Sequence, residues 1–576
     1  MTDRDLDPSA SARSDLDGWR AAAGRNAFDT DPFFRRLLER HLGARFGRFE
    51  DRLRQVAEAS GAELDALVAE ANRDENLPAL RRHDAEGRPI EEVVFHPAGH
   101  AVGELFWSSG VLAVLAEPGH ETPCGALAYL LDRHGEAGHA CPVACTAGAI
   151  KLLQRLGTED QRRRYLPALL ETDYRRRLHA AQFVTEIQGG SDVGSNGCRA
   201  VAEPGREGWF RISGEKWFCS VADAGLFVVS ARVDGAGDGT RGLGLFLVPR
   251  LVDGRPNGFA FRRLKSKLGT RSMATGEIDF DGALGEAIGP LGDGFRNLVG
   301  IVLDTSRVHN ALAACGVMRR AAVEAHHFAA HRSAFGERIL GFPAVQEILA
   351  RMRLRTMAGL ATTFRILAMS DRLATGQGDE TELAARRIAV MINKYWTAIA
   401  STASARDGIE VLGGNGTIED FSAMPRLYRD AIVIESWEGT HNTLCAQVLR
   451  DFSTRGLHRR WLDQLDGEIA AIGNRHLEGP AARARQLHGE AARRIERLLA
   501  ADPATASAHV RSVVDRMCRL SDWVALAAQA DWELERNGAS ECLDALELYR
   551  LSVLDRVDPQ DHPELVELWR RMSREP

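Results

Sequence analysis

The stretch Gln182-Phe183-Val184-Thr185-Glu186-Ile187-Gln188-Gly189-Gly190-Ser191-Asp192-Val193 stands where a helical texture gives way to a β-rich one. Its glycines let a backbone approach a planar or phosphorylated ligand closely, and Thr185 and Ser191 offer hydroxyl and amide donors. A turn with an Asx-type cap is the plain structural alternative. The pattern lacks G-x-G-x-x-G, so no Rossmann site is read here.

Upstream, from Phe33 to about Leu170, apolar residues recur three and four apart, as in Phe34-Leu37-Leu38-His41-Leu42 and Val143-Thr146-Ala149-Ile150-Leu153. This predicts an N-terminal helical domain over 33–178. Downstream, Leu226–Val233 and Leu243–Pro249 are short β-rich runs between glycine-rich turns, and 258–261 and 277–280 continue the theme, giving a central β domain over 179–291. Helical periodicity then returns around 302–332, 345–374 and 383–412, where Gly413-Gly414-Asn415-Gly416 breaks it. A second helical bundle is thus expected over 292–450 and an extra C-terminal helical region over 451–576. The polar residues 1–32 read as a flexible arm. The fold class is α+β.

At 576 residues the chain exceeds one hydrophobic core. Its formal charge of −7 and pI near 6.3 exclude a globally basic nucleic-acid binder. Nine cysteines form no C-x-x-C pair and no Cys/His cluster of zinc spacing, so reduced thiols and no metal are expected. No secretory signal is read at the start, and no run approaches the ~18 apolar residues of a membrane span. A cytoplasmic protein is expected. Residues 451–576 hold 18 arginines and no lysine against 22 acidic residues, a poor footprint for duplex binding. Within them Arg483, Arg485, Arg493, Arg494, Arg497, Arg511, Arg516 and Arg519 are close in sequence. Solvated helix faces with local ion pairs explain them most simply.

In Ser436-Trp437-Glu438-Gly439-Thr440-His441-Asn442 a single carboxylate lies between an aromatic residue and a glycine, shortly after the apolar run 431–434. Partial desolvation moves such a carboxylate's pKa toward that of a weakly acidic C–H, which makes Glu438 a candidate proton acceptor.

The order of motifs, Thr185–Asp192, Gly214-Glu215-Lys216-Trp217-Phe218-Cys219-Ser220, Lys267-Leu268-Gly269-Thr270-Arg271-Ser272, Arg332-Ser333-Ala334-Phe335-Gly336, Gly413–Gly416 and Trp437–Thr440, resembles the acyl-CoA dehydrogenase family over about residues 90–450. Within it the chain is similar to the AidB branch, named for the adaptive response to DNA alkylation. The residues 82–89 with Phe95-His96-Pro97, Glu136-Ala137-Gly138 before Cys141-Pro142, and Ile187–Val193 carry that likeness.

The resemblance implies an acyl-CoA dehydrogenase-like fold enclosing FAD, usually in a homotetramer. It places Thr185 on the isoalloxazine edge, Phe218 on the ring and Ser220 toward N5, with Gln182, Ser191, Thr440 and Asn442 also on the cofactor. Arg332 and Phe335 would reach FAD from a neighbouring subunit, Arg332 at the pyrophosphate over which Gly413 and Gly414 close. Ser191, Arg307 and Gly439 would hold the substrate. Some relatives carry the base at the position of Ser306, which leaves Glu438 as the base here. The implied reaction removes the α-proton of an acyl thioester, on CoA or a carrier protein, and passes the β-hydride to flavin N5, with an electron-transfer protein as acceptor. Alternatives are an AidB-like flavoprotein that mainly binds and protects DNA with weak dehydrogenase activity, or an oxygen-using enzyme; DNA is not favoured. Glu410 and Pro343 stand where relatives have glutamine, His441 is unusual in its segment, and Cys219 reads as packing.

Overall fold

Residues 8–574 are described in a computed structural model. The helices start and stop where local chemistry dictates. Asp379 caps Glu380–Leu412 by accepting from Glu382 N (2.8 Å), and Gly413, at φ +62°, ends it. Asp502 and Pro503 open the 35-residue helix Pro503–Asn537, and Gly538 at φ +67° closes it. Asp304–His331, Pro343–Ala374 and Glu380–Leu412 match the three long helices expected from periodicity within a few residues. The first of them is preceded by a π-helical turn, Leu298–Leu303.

The chain divides into two compact units. One combines residues up to Glu63, Pro118–Gly135 and everything from Asn310; the other holds Leu64–Glu117 and Glu136–His309. Residues 33–178 contribute to both units, and the second unit ends inside the helix Asp304–His331.

In the second unit a seven-stranded sheet runs in the order Phe259–Leu264, Thr275–Ala287, Trp209–Ser220, Arg199–Ala202, Leu226–Val233, Ala180–Phe183, with Leu243–Pro249 pairing both Thr275–Ala287 and Leu226–Val233. Pairing is antiparallel except where Leu226–Val233 meets Ala180–Phe183 and Arg199–Ala202. The two apolar runs read from the sequence are strands with the expected limits. Trp209–Ser220 carries too many polar residues to stand out, and Gly214 (φ +130°) breaks its regularity with the backbone of Cys198 close by. The helical reading of 33–178 also missed a hairpin, Ala79–His83 with Pro89–Val94. Buried Glu91 ties it to the sheet by accepting from Phe261 N (2.8 Å). Pro97–Ala116 has the length and mean hydropathy of a membrane span, contrary to expectation, yet 56% of that window is buried within the protein, as in a core helix.

In the first unit the expected flexible arm is corrected over residues 8–31; residues 1–7 lie outside the described residues. Pro8–Ala23 is a helix whose Trp19 is buried. Its indole donates to Glu324 O (3.1 Å), stacks on Phe421 (5.5 Å) and meets Phe328 edge-on (5.4 Å). Few apolar residues in a polar stretch concealed this anchor. The extension helix Pro503–Asn537 lies against Pro343–Ala374, Glu380–Leu412 and His441–Arg455. Its Asp522, buried, accepts from Thr362 Oγ1 (2.8 Å), Trp396 Nε1 (2.8 Å) and Tyr549 OH (3.1 Å), and burial pushes its carboxyl up to about 6 against those donors.

Trp19→Ala should lower stability by about 3–5 kcal/mol, the usual cost of emptying a large aromatic site, read as a drop in the thermal midpoint. A loose N-terminal arm would leave the midpoint unchanged.

Candidate active site

The predicted site residues fall into two groups, one in each unit. In the sheet unit Gln182, Thr185, Phe218 and Ser220 sit together. Trp217 N donates to Thr185 O (2.9 Å), which sets the end of Trp209–Ser220 beside the Thr185 turn. At Gly190 a Cβ would lie 2.6 Å from Thr185 Oγ1, so the turn needs glycine. Gln182 Nε2 donates to Ser306 Oγ (3.0 Å) just after the π-helical turn, and neighbouring Arg307 is buried. Ser191 is exposed.

Under this turn lies an ion pair that sequence reasoning missed. Lys216 Nζ, buried, donates to Glu186 Oε1 (2.8 Å) and Val184 O (3.3 Å). Glu186 also accepts from Gly197 N (2.6 Å), Cys198 N (3.1 Å) and Gln188 Nε2 (3.0 Å). Burial raises its pKa, but the Lys216 charge and these donors outweigh burial and hold it below the ordinary carboxylate value.

Phe218 is 51% exposed, unusual for so large an apolar ring, and is braced from behind. Lys265 Nζ lies 3.5 Å over the Trp217 ring and 4.7 Å from that of Phe218, while paired with Glu277 (2.6 Å). Ser220 Oγ lies 3.4 Å from Thr275 Oγ1, which accepts from Lys267 Nζ (3.0 Å). Cys219 is buried with its thiol pushed far up by burial, in keeping with packing rather than chemistry. Glu136 accepts from Ser272 Oγ (3.0 Å) and Asn72 Nδ2 (3.2 Å) and folds over Gly138, where a Cβ would lie 2.1 Å from its oxygen.

In the helical unit Glu438, Gly439 and the N-cap Thr440 lie in the turn between the helices Met424–Ser436 and His441–Arg455, and Asn442 is in the first turn of the latter. Glu438 has φ +59° and Gly439 φ +102°. A non-glycine residue held there costs about 1–3 kcal/mol, and such strain gathers at functional sites. The brace is Lys394, fully buried on Glu380–Leu412, whose Nζ donates to Glu435 O (3.1 Å) and Gly439 O (3.0 Å). Asn310 Nδ2 donates to Ile434 O (3.2 Å). Carbonyls at the end of Met424–Ser436, otherwise lacking helical partners, thus receive a cation and an amide, which also suits the helix dipole.

Arg332 and Phe335 lie together at the tight hairpin after Asp304–His331. Phe335 is 99% exposed at φ +53°. Gly413 and Gly414 are exposed, with nothing within 4 Å of where a Cβ would be. Glu410 is exposed, and Pro343 is the first residue of its helix. Among the described residues no group of three His, Cys, Asp or Glu side chains could hold a metal ion.

One signal for the missed braces was present. The chain has five lysines among 73 basic residues, and none of the five is exposed. A compact ammonium fits between two carbonyls or under a ring where a guanidinium fork does not.

Residues 19–176 match the family described as the adaptive response protein AidB N-terminal domain, 181–283 the acyl-CoA dehydrogenase middle domain and 292–452 the acyl-CoA dehydrogenase C-terminal domain. Acyl-CoA dehydrogenase family member 11 of Caenorhabditis elegans is 32% identical over 444 residues, 74% of this chain and 71% of that protein. The putative acyl-CoA dehydrogenase AidB of Escherichia coli (strain K12) is 34% identical over 410 residues, 69% of this chain and 72% of that one. The crystal structure of Caenorhabditis elegans ACDH-11 in complex with C11-CoA superimposes with a TM-score of 0.80 at 25% identity, covering 96% of this chain and 91% of that one.

Glu186→Gln leaves Lys216 buried beside a neutral partner, for which a cost of about 3–5 kcal/mol is expected. Because the folded pKa of Glu186 is depressed, its contribution is present above the unfolded value near 4.5 and lost as pH falls through the folded one. Thermal midpoints measured from pH 7 to pH 3 should show a lower plateau and a shallower acid loss in the variant. Lys394→Met should lower the midpoint at every pH by stripping two carbonyls of their donor, and Lys394→Arg should not restore it.

Proposed function

The chain belongs to the acyl-CoA dehydrogenase family, and on that premise we propose that it oxidises an acyl-CoA to the 2,3-enoyl thioester with Glu438 as the base. It is an oxidoreductase acting on CH–CH bonds. The observation that carries the assignment of the base is the placement of Glu438: one carboxylate on a strained turn, pinned from below by buried Lys394.

The residues present fit FAD. The half-exposed, braced Phe218 ring offers an apolar face to a planar ring system, with the hydroxyls of Thr185 and Ser220 on the neighbouring backbone. The open backbone at Gly413 and Gly414 lets phosphate oxygens approach N–H groups closely. FAD, when bound, supplies the two-electron oxidant that takes up the β-hydrogen.

The protein's own part is then positioning and proton transfer. A Glu438 carboxylate oxygen accepts the α-proton, and the strained turn keeps that oxygen from relaxing onto its own helix. A positioned general base is worth about 10²–10⁴ in rate. Gln182, Ser191, Thr440 and Asn442 contribute to cofactor binding, and Ser191, Arg307 and Gly439 to substrate binding. Arg332 and the exposed Phe335 serve a neighbouring subunit of a homotetramer, since a fully exposed aromatic on a strained turn suits a contact made by assembly. A separate electron-transfer protein reoxidises the enzyme in the cytoplasm.

The C11-CoA bound by the nematode protein supports acyl-CoA over a carrier-protein thioester. A DNA-protecting role is not favoured. Residues 451–576 are net acidic, Arg483 is paired with Asp555 (2.6 Å), and Arg511 donates to the Tyr395 hydroxyl (3.2 Å).

Anaerobic mixing with a panel of acyl-CoA thioesters should bleach the flavin of the wild-type protein. Glu438→Gln should keep its flavin and lose bleaching by at least about 10²-fold; full bleaching in that variant would reassign the base.

A further inference from the structure

Three consecutive residues of Glu380–Leu412 join the base turn to the C-terminal extension. Lys394 faces the turn and holds its two carbonyls. Tyr395 meets the His441 imidazole edge-to-face, with ring centroids 5.1 Å apart at 87°. Its hydroxyl donates to Asp515 Oδ1 (2.5 Å) and accepts from Arg511 Nε (3.2 Å), both on Pro503–Asn537. Trp396 donates to Asp522 on the same helix (2.8 Å), and Arg519 lies over its ring at 5.9 Å. Cys518 Sγ bonds Ile392 O at 3.4 Å one turn earlier.

The Lys394 and Tyr395 contacts lead back to the turn of Glu438. His441 is the first helical residue after the turn, three positions from the carboxylate, and its Nε2 lies 3.7 Å from Glu435 Oε2 across the turn's base. Burial lowers the pKa of the imidazole, opposed by Glu435 and aided by Lys394 and Arg511. The ring packs edge-to-face against Tyr395, so a shift of the first turn of His441–Arg455, next to the left-handed residue, would disturb that contact. The matched acyl-CoA dehydrogenase domain ends at residue 452, so the groups that fix the Tyr395 hydroxyl come from beyond it.

We propose that the C-terminal extension is a positioning element for the catalytic base, in which Asp515 and Arg511 lock Tyr395, Tyr395 seats His441, and the seated His441 holds Glu438 in its strained turn. Tyr395, His441, Asp515 and Arg511 are positioning residues in this scheme. It rests on the reading of Glu438 as base.

The test uses full-length, flavin-loaded protein with Tyr395→Phe, Asp515→Asn, the double variant, and Arg536→Ala as a control on the same helix. Amide hydrogen exchange in the peptide spanning residues 436–443 should quicken about tenfold in both single variants while strand peptides from the sheet stay unchanged. With an acyl-CoA that bleaches the wild type, kcat should fall about tenfold with KM and flavin content unaltered. The double variant should be no worse than either single one, as for groups acting in one chain. Unchanged exchange in residues 436–443 in both single variants overturns the proposal. So does a loss spread evenly over kcat, flavin content and exchange in every peptide, which marks a general packing role. If no acyl-CoA bleaches the wild type, the assignment of the base fails separately, and exchange in residues 436–443 still decides the coupling.

Discussion

A buried ammonium group is the pivot of the helical unit around Glu438. Lys394 has no exposed surface, and two backbone carbonyls help to solvate its charge. One of those carbonyls ends a helix and the other belongs to the residue after Glu438. The same bonds that solvate the cation therefore fix the turn. A carboxylate in a left-handed backbone position would otherwise relax, since extended or helical values cost less. Strain at Glu438 and a buried charge beside its turn are two sides of one arrangement.

The sheet unit uses the same device in another setting. Lys216 under the Thr185 turn and Lys265 behind Trp217 and Phe218 are point charges with one carboxylate each, Glu186 and Glu277. Buried pairs of this kind add little net stability compared with apolar packing, yet breaking one is expensive. Their effect is geometric: they hold a glycine-bearing turn and an exposed aromatic ring in place before any ligand arrives, so ordering those groups costs nothing on binding.

The extension shows how a charge pattern misleads when read along one dimension. Its arginines, close in sequence within a net acidic region, read as solvated helix faces with local ion pairs. In the structure Arg511 and Arg519 face the helix Glu380–Leu412, and Arg483 is tied to Asp555 across a helix–helix contact. What looked like surface charge is partly internal fastening between helices.

Helical period and glycine breaks placed the long helices and most of the strands, and the order of short motifs named the candidate site residues, because these signals are local: a repeat of 3.6, a residue that can take positive φ, an aromatic beside a carboxylate. What depended on distant partners was hidden. Trp19 looked like one aromatic in a polar arm until Phe328 and Phe421 closed around it. The strand Trp209–Ser220 needed neighbours on both sides to outweigh its polar composition. Lys394 lies 44 residues before Glu438, and only the antiparallel return of Met424–Ser436 along Glu380–Leu412 brings its ammonium under the turn. The sequence by itself determined the order of motifs and the candidate side chains within them. Tertiary structure decided which of them are held still, because rigidity comes from contacts between residues far apart in the chain.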